Sequence, residues 1–291
     1  MLKTHFLTPY LYLFPAAALL LFTFGYPLAS VFYFSMHRIR GVSGPFIGFE
    51  NFLQVFKDTT FHMAAAHNLQ LLIAVPIMTA IALLIAVLLH ERVSGWETYR
   101  TILFAPYILA IPVVGIVFNN ILQLNGILNE SLRSIGLRFL AGDWLGSADL
   151  ALWSVMGVII WREVGFGIVL FQASLLSLNE ELQDAAKIDG AGWWQRLFYV
   201  TIPQLRDVIE FFVVVSVITM LAWVFGFVFV MTKGGPGNAT QIMELYIFNF
   251  AFRSSLPGIA SAVAVILFLI TLVSIIPLFR VHSQSNEGRN S

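Results

Sequence analysis

An arginine and a glutamate stand side by side in an otherwise apolar stretch of this sequence. Arg162 and Glu163 lie in the run VIIWREVGF, and Phe166 follows on the same face if the run is helical. Charged groups bind hydroxyls and aromatic rings stack on sugar rings, so this cluster suits a hydroxylated ligand. The alternatives are a structural ion pair with a neighbouring helix, an ion relay in a secondary transporter, and an intramembrane enzyme using Glu163 as acid or base.

The sequence lacks the motifs required for nucleotide binding, metal binding and nucleophilic catalysis. No G-x-x-x-x-G-K-[ST] phosphate cradle occurs, and GGPGNAT has glycines without the lysine. His62 and His67 are five residues apart, which is not the i, i+4 spacing of helical metal ligands. The chain has no cysteine and no G-x-S-x-G nucleophile. We therefore expect no catalysis, no metal and no cofactor held by this chain.

Composition places these residues in a membrane protein. Of 291 residues, 58% are apolar and only 11% are charged, and the mean hydropathy is +0.84. A soluble domain carries about a quarter charged residues. Lys and Arg together number 16, as do Asp and Glu, so there is no basic excess of the kind that binds nucleic acid.

The apolar runs predict an all-α polytopic fold. A bilayer core about 30 Å thick needs about 20 apolar residues in a helix, and continuous rather than alternating runs exclude a barrel. The first run is too long for a signal peptide. Six windows meet the requirement: 10–36, 67–90, 102–123, 150–176, 207–231 and 257–280.

The windows suggest a division of the chain into three parts. Residues 1–66 comprise the first span and a long loop, 67–280 a five-helix core, and 281–291 a polar tail. Six spans put both termini and the segment 177–206 on one side. Positive charges divide eight to seven between the two sides, so the positive-inside rule does not settle the orientation.

The segment 177–206 is polar and patterned. Ser177 or Asn179 can cap a short helix, Gly190 breaks it, and a second short helix with an aromatic face can follow. Such a compact, amphipathic helix–bend–helix suits insertion into a groove on a partner protein. An interfacial helix lying on lipid is the alternative on pattern alone.

Part of that segment, DAAKIDGAGWWQRLFYVTIP, resembles the EAA loop of permease subunits of ABC importers. YLYLFPAAALLLFTFGYPLASVFYFSM, FIGFENF, YRTILFAPYILAIPVVG and GGPGNATQIMELYIFNFAF are similar to carbohydrate-type permeases, specifically the maltose and glycerol-3-phosphate importer kind. The resemblance covers nearly the whole chain. It implies a type I importer permease fold with six transmembrane helices and import by alternating access. Asp184 departs from the family's usual glutamate and keeps the charge.

The resemblance also implies partners. These are a second homologous permease, two copies of a cytoplasmic ATPase that binds ATP and Mg, an extracytoplasmic solute-binding protein, and a sugar or polyol substrate. The loop, N-terminus and C-terminus would lie on the cytoplasmic side of a bacterial or archaeal cytoplasmic membrane. The implied contacts to the ATPase are Asp184, Ala185, Ala186, Asp189, Gly190, Ala191, Phe198 and Pro203.

Two further groups of residues follow from the same resemblance. The implied substrate pathway, on the helices before and after the loop, is Ile159, Arg162, Glu163, Phe166, Ser216, Met220 and Trp223. Ser216, Met220 and Trp223 have i, i+4, i+7 spacing, which favours one helix face; helix packing is the alternative for that face. The implied contacts to the binding protein are Lys233, Gly234, Gly235, Pro236 and Thr240, although a plain turn would have the same sequence.

Overall fold

A computed structural model of the chain describes residues 8–39, 43–91 and 95–287. Helices make up the regular structure of these residues, apart from isolated bridge residues such as the antiparallel pair His37 and Phe46. Hydrocarbon offers no hydrogen-bond partner to the backbone, so apolar segments of this length satisfy their N–H and C=O groups within helices.

The α-helices of the described ranges are numbered here in chain order. They are α1 (Thr8–Leu20), α2 (Tyr26–Ser35), α3 (Glu50–Lys57), α4 (Thr59–Leu71), α5 (Ala74–His90), α6 (Trp96–Ile108), α7 (Ile111–Leu122), α8 (Ile127–Ser134), α9 (Ala151–Leu175), α10 (Glu180–Ile188), α11 (Trp193–Arg196), α12 (Ile202–Gln204), α13 (Arg206–Ala222), α14 (Phe225–Met231), α15 (Met243–Phe248) and α16 (Pro257–Glu287). Short π-helical turns lie at Leu21–Gly25, Leu197–Thr201 and Asn249–Arg253, and a 3₁₀ turn lies at Arg138–Leu140.

The predicted six-span architecture is confirmed, with one span bent. Five helical stretches of the described residues are long and apolar enough to cross a membrane: Tyr10–Ser35, Thr59–His90, Ile111–Ser134, Ala151–Leu175 and Pro257–Ile276. Helices α13 and α14 together make the sixth and are bent by 44° at their junction.

Two predicted windows were wrong as continuous helices. The window 102–123 is divided between α6 and α7 by two extended residues, Leu109 and Ala110. Pro112 has no N–H to donate to the preceding turn, so it is accommodated in the first turn of α7, where helical N–H groups are unpaired, and not in the interior of one continuous helix. The window 207–231 is interrupted at Trp223, whose φ of −127° ends α13.

The connections contain more helix than the sequence predicted. The predicted loop 37–66 holds α3 and the first half of α4, and the connection 124–149 holds α8. The predicted polar tail is helical as far as Glu287, because α16 runs on past the apolar window. Residues 288–291 of that tail lie outside the described residues.

The chain forms two compact units, the first made of residues 1–61 and 246–268. Asn51 is buried there and its side-chain amide donates to the carbonyls of Ser35 (2.9 Å) and His37 (3.0 Å). The Tyr246 hydroxyl donates to Asp58 at 2.7 Å. These bonds fix the connection after α2 and the loop before α4 within this unit.

The second unit, residues 62–245 and 269–291, is centred on α9. Two glycines let α9 approach its neighbours closely. A methyl group on Gly165 would lie 2.8 Å from the Leu103 carbonyl oxygen of α6. One on Gly167 would lie 2.7 Å from both Ala82 of α5 and Phe212 of α13. Small residues at such contacts are the usual way for membrane helices to pack.

Candidate functional site

A cavity of about 390 Å³ lies within the second unit, beside the middle of α9. It sits where α6 and α7 are broken apart and where α13 ends, because both breaks leave space between helices. Its volume falls in the range of small-ligand sites. Its lining residues are Tyr107, Ile111, Arg162, Glu163, Val215, Ile218, Thr219 and Trp223.

Arg162 and Glu163 form an ion pair with each other at the edge of this cavity. The Arg162 guanidinium donates to the Glu163 carboxylate, and each side chain is 13% exposed. Arg162 Nε also donates to the Leu109 carbonyl at 3.1 Å, and the guanidinium lies 5.1 Å from the centre of the Tyr107 ring. Arg162 therefore stabilises the break between α6 and α7, where a carbonyl is released from the helical ladder.

The pairing corrects the sequence reasoning on one point. Adjacent residues on a helix point about 100° apart, so a partner on another helix was the expected structural alternative. The Arg162 guanidinium instead pairs with Glu163, the next residue on the same helix. The site consequently presents a neutral pair with an aromatic ring rather than an isolated positive charge.

Four of the predicted pathway residues do not line this cavity: Ile159, Phe166, Ser216 and Met220. Ile159, Ser216 and Met220 are buried among packed helices, with exposures of 0%, 4% and 0%. The expected i, i+4, i+7 face on α13 was wrong because Ser216 and Met220 are packed between helices, whereas Trp223, the C-cap of α13, is exposed. Trp223 is 66% exposed and shares the cavity with Val215 and Thr219.

Aromatic residues complete the surroundings of the ion pair. Phe166 stacks on Tyr107, with ring centres 5.3 Å apart and planes 22° apart, so it supports the cavity wall through that ring. Tyr107 was missed by sequence reasoning, although it lies between Pro106 and Pro112 in FAPYILAIP, a pattern typical of a broken helix. Ile111, Ile218 and Thr219 carried no signal in the sequence.

The segment between α9 and α13 has the predicted helix–bend–helix form. Asn179 caps α10 by accepting a hydrogen bond from the Glu181 N–H at 2.8 Å. Gly190 has a φ of +80°, a left-handed conformation that other L-residues adopt only with strain. The Gln183 side chain donates to the Thr201 hydroxyl at 3.0 Å and holds the two arms together. We call residues 180–204 the coupling segment.

The structure exposes most of the residues predicted to meet a partner on this segment. Asp184 is 66% exposed and pairs with Lys187 at 2.8 Å. Ala186 and Ala191 are half-buried. The remaining predicted residues, Ala185, Asp189, Gly190, Phe198 and Pro203, are exposed, and space is open around Gly190.

The turn after α14 is held by its own hydrogen bonds. Thr240 is fully buried, and its hydroxyl donates to the Gly235 carbonyl at 2.8 Å and contacts Thr232 at 2.7 Å. Gly234 is buried, with a φ of +90°, and an added methyl would lie 2.6 Å from Gln241. Gly234 and Thr240 therefore shape the turn internally rather than meeting a partner. Of the predicted contacts, Lys233 is exposed, and Gly235 and Pro236 are half-buried.

A buried carboxyl follows the same turn. Glu244, in the first turn of α15, accepts a hydrogen bond from the Asn68 side chain at 3.0 Å, and Asn68 in turn accepts from the Met243 N–H at 2.8 Å. Burial raises the pKa of Glu244 to about 7, against smaller opposing effects of its hydrogen bonds. This group could not be predicted from the sequence, because Glu244 follows a turn pattern that is typical of exposed residues.

Comparison with known proteins yields one family. The profile described as "Binding-protein-dependent transport system inner membrane component" matches residues 68–284. The chain is 33% identical over 278 residues to the probable ABC transporter permease protein YurN of Bacillus subtilis, covering 94% of each protein. It is 30% identical to the lactose transport system permease protein LacF of Rhizobium radiobacter, covering 94% of this chain and 93% of LacF.

Further likeness extends to another sugar system and to solved structures. The diacetylchitobiose uptake system permease protein NgcF of Streptomyces coelicolor is 34% identical, over 90% of this chain and 78% of NgcF. A chain from the crystal structure of a bacterial ABC transporter involved in alginate import superposes with a TM-score of 0.82 at 22% identity, covering 94% of both chains. A chain from that transporter type in complex with a pentasaccharide-bound periplasmic protein gives 0.81, also at 22% identity. At this identity, the likeness to the two structures establishes the fold.

Proposed function

The chain belongs to the family of binding-protein-dependent transport system inner membrane components, and from that premise we propose that it is a permease subunit of an ATP-driven importer for a sugar or related polyol. Relatives named for lactose and diacetylchitobiose transport support the substrate class. None of the relatives reported above is named as an ion-coupled transporter or as an enzyme, the two alternatives.

The exposed coupling segment is the observation that carries this proposal. It is a polar helix–bend–helix between two membrane spans, braced internally by Gln183 and Thr201. Ile188 and Tyr199 are 87% and 80% exposed on it, which is costly in water unless a partner or lipid covers them. A secondary transporter needs no such segment. An importer needs it to receive movement from a separate ATPase.

The cavity beside Arg162 supplies the other half of the function. Its walls come from α6, α7, α9 and α13, so a displacement of α9 against α13 changes its shape. The ion pair and the aromatic rings offer hydroxyl-binding and ring-stacking groups to a passing sugar. Arg162 is neutralised by Glu163, which favours an uncharged substrate over an anionic one.

The partners of this proposal are a second permease, two ATPase copies with ATP and Mg, and an extracytoplasmic binding protein. ATP closes the ATPases, the coupling segments of the two permeases move with them, and the pathway opens outward to receive the substrate. In this arrangement the coupling segment and both termini are cytoplasmic. Lys233 and Pro236, in the turn after α14, face the binding protein on the opposite side.

Gly190 provides the test of this function. Gly190→Trp adds a large ring where no atom of the chain lies within 4 Å of the new Cβ, so the ring projects toward whatever covers the segment. The complete importer, with its binding protein, is reconstituted and its ATPase activity is measured with and without substrate-loaded binding protein. We expect stimulation by the loaded binding protein in the wild type and none in Gly190→Trp.

Gly190→Asn is the matched control, because asparagine tolerates the left-handed conformation without the bulk of the ring. It should keep most of the stimulation. Undiminished stimulation in Gly190→Trp would show that the segment lies on lipid instead. A wild-type complex that the loaded binding protein fails to stimulate would contradict the proposed function itself.

A further inference from the structure

We propose that a hydrogen bond between Trp193 and Glu91 is the strut that carries movement of the coupling segment into the membrane helices. The Trp193 indole Nε1 donates to Glu91 Oε1 at 2.6 Å. The two residues are 102 positions apart, one at the start of α11 and the other at the end of α5. This inference rests on the proposed function, since a strut has a role only if the segment is pushed.

The geometry makes this bond a bridge rather than part of a packed interface. A polar cavity of about 330 Å³ lies between α10 and the ends of α5 and α9, and Glu91 forms part of its wall. The segment therefore does not rest on the helix ends along its whole length. Among the side-chain hydrogen bonds of the described residues, the bond from Trp193 is the one that joins the segment to another helix.

Glu91 stands where the helix alone would not favour it. It follows the last residue of α5, and its N–H is used to bond the Val87 carbonyl at 3.2 Å. The carboxyl end of a helix carries partial negative charge, so a carboxylate there is disfavoured unless a donor compensates it. The indole N–H is such a donor, and a hydrogen bond to a charged acceptor is stronger and more directional than a neutral one.

Helix α5 leads from the strut to the candidate site. It packs along α9, where Gly167 brings the two helices together at Ala82. Gly167 lies four residues, about one helical turn, after Glu163. A rigid helix transmits displacement along its axis, so a push on Glu91 reaches α9 about one helical turn from the ion pair. Trp193 and Glu91 are positioning residues in this scheme and touch no substrate.

The test measures coupling rather than activity alone. The complete importer is reconstituted in vesicles with Glu91→Ala, Trp193→Phe or Glu91→Gln, and the substrate transported per ATP hydrolysed is determined for each. Losing a hydrogen bond to a charged acceptor shifts the equilibrium between the bonded and the detached state of the segment by about tenfold. We expect Glu91→Ala and Trp193→Phe to lower the transport-to-hydrolysis ratio severalfold, and Glu91→Gln, which keeps an acceptor oxygen, to recover most of it.

The double variant and a matched control sharpen the result. Glu91→Ala combined with Trp193→Phe should be no worse than either single variant, because both remove the same bond. Glu97→Ala, which removes an exposed carboxylate on α6, should leave the ratio unchanged. A merely structural role would reduce the amount of assembled complex without altering the ratio.

Three outcomes would overturn the strut. They are a wild-type ratio in Glu91→Ala and Trp193→Phe, additive losses in the double variant, and a loss in Glu91→Gln as large as in Glu91→Ala. These differ from failure of the proposed function, which would appear as a wild-type complex without stimulation by loaded binding protein.

Discussion

Replacing one member of the Arg162–Glu163 pair should destabilise the protein far more than replacing both. Each side chain is only 13% exposed, so removal of one partner leaves a largely desolvated charge without its counter-ion. Breaking a buried pair in this way costs about 3–5 kcal/mol. We expect Glu163→Leu at the lower end, because Arg162 keeps the Leu109 carbonyl and the Tyr107 ring.

Arg162→Met should lie at the upper end of that range. Within the described part of the chain, Glu163 has no second hydrogen-bond partner, and Leu109 would also lose its side-chain donor. In the double variant Arg162→Met/Glu163→Leu no charge remains, and only the freed Leu109 carbonyl costs about 1–2 kcal/mol. The pair therefore predicts a coupling energy of several kcal/mol.

Thermal inactivation of the purified complex at one fixed scan rate ranks the single and double variants by their loss of stability, since a complex of this kind unfolds irreversibly. Glu50→Leu is the control: it breaks the exposed Arg38–Glu50 pair, worth about 0–1 kcal/mol. A double variant as unstable as the two single losses added together would refute compensation between the two charges.

The remaining predictions concern a titrating carboxyl and a helix contact. The folded-state pKa of Glu244, about 7, lies above its ordinary value of 4.5, so the folded protein binds the extra proton and stability from this group falls as pH rises from about 4.5 to 7. That change in stability corresponds to roughly 2–3 kcal/mol. Glu244→Gln can still accept the hydrogen bond from Asn68 but cannot titrate, so it should lose this pH dependence. The measurement compares the melting of both proteins at pH 5 and pH 8. Gly165→Ala should cost about 1–3 kcal/mol in melting measurements, because its methyl would meet the Leu103 carbonyl at 2.8 Å.

Each of these has an internal check. Gly157→Ala on the same helix meets no atom within 4 Å and should stabilise by about 0.5–1 kcal/mol, the opposite sign to Gly165→Ala. Equal effects of the two substitutions would contradict the close contact of α6 with α9. A Glu244→Gln variant with the same pH dependence as the wild type would show that Glu244 does not titrate in this range.

The sequence by itself was sufficient for the class of fold and for the helix–bend–helix form of the coupling segment. Hydrophobic runs about 20 residues long force helices across a bilayer whatever their neighbours are, so six spans could be read directly. The helix–bend–helix form of the segment 177–206 could be predicted in the same way, because the Asn179 side chain caps the Glu181 N–H and Gly190 bends its own backbone, and both effects are local. Family resemblance in these same stretches gave the function.

The site depended on tertiary structure. Which face of a helix borders a cavity is decided by how the helix packs: Ser216 and Met220 are buried against other helices, so Val215 and Thr219 form the cavity wall on α13. The partner of Glu91 lies 102 residues away and no periodicity marks it. Side-chain contacts between distant segments depend on how the helices pack. Successive residues on a helix point about 100° apart, so a small rotation of one helix changes which residues meet its neighbour. The hydrophobic pattern determines the spans, whereas the packing of the helices determines which side chains contact each other between the spans.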